Sequence, residues 1–123
     1  SSLLTGASKF VMDDFNSTAI DLNRVLDNEK TQKLWPKFAK GDRGIFVRGI
    51  LSEDEREARD VIQGKYEQDN DFRKYVSRYI EHFEKLLTEA NESDPENLLS
   101  STFLSADVGK LYLLLARAVG RLN

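Results

Sequence analysis

Near the C-terminus a Gly109-Lys110 pair leads into the apolar block "LYLLL". A glycine-lysine pair does chemistry when it closes a phosphate-binding loop, whose backbone N–H groups cradle phosphates while a following hydroxyl holds the metal. That spacing needs glycine at position 104 and serine or threonine at 111. The chain has Leu104 and Leu111, so the motif fails. The single histidine, His82, stands beside Glu81. Alone it can serve as a general base but cannot complete a multi-histidine metal site. Its plainer reading is a helix-edge residue beside an aromatic stripe. "EDERE" at 53–57 lacks the glycine and terminal glutamate of a calcium loop, and "EQDND" at 67–71 reads as a turn with capping residues. No serine sits in a G-x-S-x-G elbow. With no cysteine in the chain, disulfides, cysteine zinc sites and thiol nucleophiles are excluded. The residues therefore describe a non-enzymatic protein with no cofactor and no bound metal.

Charge distribution is more informative. Residues 30–50 carry six cations, Lys30, Lys33, Lys37, Lys40, Arg43 and Arg48, against one acid, Asp42, a local net of +5 in a chain whose total is -3. Residues 52–60 then carry a local net of -3. Trp35, Phe38 and Phe46 interleave with the basic stretch. Cations mixed with aromatics suit docking of an acidic protein partner, since Trp and Arg make strong anchors. They also suit stacking on nucleic acid or contact with anionic lipid. The same aromatics can instead be core residues, with the lysines merely solvated. Trp35, Lys37, Lys40, Arg43 and Arg48 are the candidate partner-binding residues of this segment.

The elements that position these residues follow from length and periodicity. A chain of 123 residues, 40% hydrophobic and 32% charged, fits one globular domain with a modest core. Its acidic balance, with a pI of about 5.2, argues against the whole domain binding nucleic acid. No signal peptide is evident, and no apolar run reaches the ~18 residues of a transmembrane helix. The start, Ser-Ser without methionine, suits a domain excised from a longer protein.

Val11, Phe15, Ala19, Leu22 and Leu26 recur at three and four, one helical stripe over residues 8–26. Residues 27–31 break the pattern. Pro36 either kinks a helix or opens a short one, Gly41 ends it, and Asp42 caps a further piece holding Ile45, Phe46 and Ile50. Ser52 and Glu55 have the spacing of a capping box, before a helix carrying Ala58, Val61, Ile62 and Tyr66 on one side. The clearest helix covers about residues 71–90, where Phe72, Tyr75, Val76, Tyr79, Ile80, Phe83, Leu86, Leu87 and Ala90 form an unbroken stripe. Its aromatics read as core. Asp94 and Pro95 start a short helix with Leu98 and Leu99, and Ser105 caps the last one.

The pattern predicts an all-α single domain, a compact orthogonal array of about five to seven helices. The last helix is apolar around most of its girth. Val108, Leu111, Tyr112, Leu115, Val119 and Leu122 supply one stripe, which Leu113 and Leu114 widen. Such a helix is central to the domain or pressed on another chain. Leu113, Leu114 and Arg117 therefore join the candidate partner-binding residues. Gly109 would let a neighbouring helix approach closely.

Three stretches, "LWPKFAKGDRGIFVRGIL", "KYEQDNDFRKYVSRYIEHFEKLL" and "TFLSADVGKLYLLLARAVGR", carry a resemblance. Through Leu34, Trp35, Gly41, Arg43, Phe46 and Arg48, then Tyr66, Phe72, Arg73, Tyr79, Phe83 and Glu84, then Gly109, Lys110, Tyr112 and Gly120, they resemble a helical domain near the C-terminus of very large alphaproteobacterial coiled-coil proteins. Those proteins are often labelled kinesin-like or apolipoprotein-like, and some are scaffolds of cell poles or growth zones. Pro36 departs from the pattern. The resemblance implies a bacterial protein-interaction or assembly domain without catalytic residues, binding another protein or its own copies. It would lie in the cytoplasm, at the cell pole or the inner face of the envelope.

Overall fold

The computed structural model describes residues 28–42, 44–93 and 106–122. They form five helices: α1 (Asn28–Ala39), α2 (Ile45–Leu51), α3 (Glu55–Gln68), α4 (Asn70–Ser93) and α5 (Asp107–Ala118). No strand occurs among them, so the all-α expectation holds. The expected helices at 8–26 and around Leu98 and Leu99, with the Ser105 cap, lie outside the described residues.

Helix α1 begins at Asn28, within the stretch whose broken periodicity predicted a gap, and runs through Pro36. Proline has no N–H to give the preceding turn, but the Pro36 carbonyl still accepts from the Lys40 amide at 3.2 Å. Gly41, at φ +107°, closes α1. Its amide bonds the Phe38 carbonyl at 3.0 Å and the Asp42 amide bonds Lys37 at 3.1 Å, the paired bonds of a Schellman ending. Asp42 does not cap α2 with its side chain. The N-cap is Gly44, while the Asp42 carboxylate pairs with Arg48.

The N-cap of the next helix lies two residues later than the capping-box pattern placed it. Asp54 is the N-cap of α3, and its carboxylate accepts from the Glu57 amide at 3.0 Å. Ser52 terminates α2 instead, its hydroxyl donating to the Gly49 carbonyl at 2.7 Å. Asp-x-x-Glu offers the same reciprocal chemistry as Ser-x-x-Glu, and a carboxylate suits the positive helix end better than a hydroxyl.

Asp69 makes the corner between α3 and α4. Its amide donates to Lys65, ending α3, and its carboxylate accepts from Asp71 at 3.0 Å and Phe72 at 3.1 Å, starting α4. Arg73 then reaches back, its Nε and Nη2 each donating at 2.8 Å to the last carbonyls of α3, those of Tyr66 and Glu67. A cation there also meets the negative helix end.

Burial follows α4 and α5. Phe72, Val76, Tyr79, Ile80, Phe83, Leu86 and Ala90 are buried on α4, with Tyr75 and Leu87 half-buried. Helix α5 packs against α2, α3 and α4, which makes it the hub. It buries Gly109, Leu111, Tyr112, Leu114, Leu115, Ala116 and Ala118. The rings of Tyr79, Phe83 and Tyr112 stack in sequence, with centroids 6.4 and 4.7 Å apart. On α3, Ala58 and Ile62 are buried but Val61 is 42% exposed. The spacing of four between Ala58, Ile62 and Tyr66 turns the stripe away from Val61. No helix among the described residues is long and apolar enough to cross a membrane.

Candidate functional site

Where α2, α3 and α5 meet, the surface opens into a groove of about 460 Å³. Its walls hold apolar side chains, Ile50, Leu51, Ala58, Leu113 and Leu114, amid charges of both signs. Bases come from Arg48, Lys110 and Arg117, acids from Glu53, Glu55 and Asp107. Several are engaged locally. Arg48 pairs with Asp42, Lys30 with Glu53, and Arg117 Nη1 with Glu55 Oε1 at 3.4 Å. Exposed pairs of this kind stabilise by about 0–1 kcal/mol, so an incoming group can exchange them at little cost.

Of the residues singled out from sequence, Arg48, Leu113, Leu114 and Arg117 line this groove together. Their sequence separation hides the juxtaposition, which arises because α2 and α5 pack against each other. Leu114 is only 5% exposed and belongs to the core, whereas Leu113 is half-buried at the groove. The pair thus divides: Leu114 is held mainly within the chain, and Leu113 offers apolar surface to solvent.

Trp35, Lys37 and Lys40 lie elsewhere, on and just after α1. Trp35 stands edge-on to Phe46 at 4.8 Å and to Phe38 at 5.5 Å, yet remains 37% exposed. Phe38 and Phe46 are core residues. Lys30, Lys33, Lys37 and Lys40 recur at three, four and three, so they share one side of the α1 segment. Lys33, Lys37 and Lys40 are exposed. Arg43 lies outside the described residues.

Sequence reasoning missed the far side of α5. There Arg121 forks onto the Glu84 carboxylate, its Nε 2.8 Å from Oε1 and 3.0 Å from Oε2. The Tyr112 hydroxyl donates to Oε2 at 2.9 Å. The Arg121 hydrogen bonds hold the Glu84 carboxyl below its ordinary range despite partial burial. Burial, and then the facing carboxylate, push the Tyr112 hydroxyl up to about 12. The cluster clips the chain after α5 onto α4. Separations of 28 and 37 residues left no local signal for it.

Among the described residues, no three His, Asp or Glu side chains gather as a metal-ligand set. His82 is half-buried on α4. The "EQDND" stretch is accounted for by the double-capping Asp69. No family model matches the chain, and no curated protein or solved structure is significantly similar to it.

Proposed function

We propose that the chain is a non-enzymatic interaction and assembly domain, and that copies of it associate through the groove between α2, α3 and α5. The observation that carries this reading is the groove itself, with apolar surface from Leu51 and Leu113 beside three acids and three bases. Mixed charge around apolar surface suits a protein partner more than a small apolar ligand or a polyanion. The chain also holds opposite local charges, basic at 30–50 and acidic at 52–60. Copies can therefore meet base to acid although the whole carries -3. The apolar contact supplies affinity, and the charges fix the register.

The resemblance to the helical domain of large coiled-coil scaffolds belongs to the same proposal, as does a place at the cell pole or inner envelope. The test is Leu113→Glu. A carboxylate at that half-buried position leaves the core side chains in place but makes the groove hostile to an apolar face. Loss of association in this variant, with helicity retained, supports the groove as the interface. Unchanged association contradicts it.

A second reading is favoured by one specific observation, the lysines aligned along α1. Three exposed cations on one side form a surface for nucleic acid or anionic lipid. Binding of single-stranded DNA, or of phosphatidylserine vesicles, that weakens steeply with salt and is lost in Lys33→Gln/Lys37→Gln/Lys40→Gln supports it. No binding at low salt removes it.

A further inference from the structure

On the opposite flank of Arg117 lies a second, smaller cavity of about 290 Å³ lined by Arg56, Arg59, Asp60, Gln63, Arg117 and Ala118. Arg56, Arg59 and Gln63 are spaced three and four apart on α3, which places them on one side of that helix. Arg117 comes to the same cavity from α5, and Ala118 beside it is buried and small. Three guanidiniums thus converge against a single carboxylate, Asp60. Arg59 Nε is buried and has no hydrogen-bond partner among the described residues. Arg59 is half-buried at the cavity wall, whereas Arg56 and Arg117 are exposed there. Arg117 is only loosely held by Glu55, at 3.4 Å.

From this we infer that the cavity binds a phosphate group, as inorganic phosphate or as a phosphate monoester. Guanidinium forks match phosphate oxygens in pairs, and their charge survives at any physiological pH. A tetrahedral dianion offers enough acceptor oxygens for donors arriving from both helices, with the Gln63 amide as a further donor. A carboxylate has only two oxygens and would leave one guanidinium unmatched. This site shares Arg117 with the larger groove, but Arg56 and Arg59 line the smaller cavity and not the groove, so variants at those two residues test it apart from self-association.

The test follows arginine Nε–H resonances by NMR during titration with sodium phosphate, at ionic strength held constant with sodium chloride. Saturable shifts at Arg56, Arg59 and Arg117 are expected, absent with chloride alone. Arg59→Gln and the exposed Arg56→Gln should each weaken binding roughly tenfold, the loss expected for one charge-assisted hydrogen bond. Lys85→Gln, on α4, should leave it unchanged. Should Arg59→Gln fail to fold, Arg56→Gln alone decides. A linear, chloride-like response, or equal binding by wild type and Arg56→Gln, overturns the site. Vesicles of phosphatidylcholine with phosphatidic acid present the same group on a surface. Co-sedimentation lost in Arg56→Gln adds the lipid headgroup as a source. Co-sedimentation without any response to inorganic phosphate overturns the pocket.

Discussion

The hydroxyl of Tyr79, buried on α4, donates to the Val108 carbonyl at 2.6 Å and ties α4 to the first turn of α5. That turn has no side-chain cap, because its N-cap is Ala106. Tyr79→Phe keeps the ring and removes only the hydroxyl. It should cost about 1 kcal/mol, the usual worth of one such hydrogen bond. Chemical denaturation with an unchanged m-value measures it. An unchanged midpoint would show that the bond does not hold α5.

The Glu84 cluster makes stability depend on pH at both extremes. Glu84 has a folded pKa below its ordinary value of 4.5, so the folded state favours the carboxylate. Its contribution is present above 4.5 and is lost as pH falls through the folded value. Tyr112 has a folded pKa raised from 10.0 to about 12. Its contribution is complete below 10 and is lost as pH rises from there towards 12. Melting temperatures of wild type and Glu84→Gln should therefore converge as the solution is acidified below 4.5. A constant gap across that range would contradict the role assigned to Glu84.

Two glycines should respond to alanine with opposite signs. Gly64 lies inside α3, and a Cβ there would meet nothing within 4 Å. Gly64→Ala should stabilise by about 0.5–1 kcal/mol through helix propensity and a less free unfolded chain. Gly120 also has open space around it but sits at φ +82°. Gly120→Ala should therefore destabilise by about 1–2 kcal/mol from backbone conformation alone. Thermal or denaturant unfolding of both variants reads the contrast, and equal signs would contradict it.

The shifted helix start gives a further contrast. Asp54→Ala removes the acceptor of the Glu57 amide and should cost about 1 kcal/mol. Ser52→Ala loses only an exposed bond to the Gly49 carbonyl and should cost less. The reverse order would restore the capping box to Ser52.

What the sequence disclosed tracks the range of the physics involved. The stripe on α4 and the wide buried face of α5 were legible because helical periodicity is local and strong. The start of α3 was not, since Ser52 and Asp54 both precede a glutamate by three residues and the spacing alone does not choose between them. Val61 was misplaced for a related reason: on a short apolar stripe, a one-residue rotation decides which edge stays wet. At the candidate site, Arg48 was singled out by the basic stretch, and Leu113 and Arg117 by the apolar girth of the last helix. That they share one groove depends on how α2 meets α5, which no spacing encodes. Two arginines of the smaller cavity, Arg56 and Arg59, gave no signal because they are diluted by acids in an overall acidic stretch.

The central claim, association of copies through the groove, is tested most directly by sedimentation equilibrium over a wide concentration range. Wild type should show reversible, concentration-dependent association, and Leu113→Glu should sediment as a folded monomer. A wild-type chain that stays strictly monomeric at the highest concentration would contradict the account.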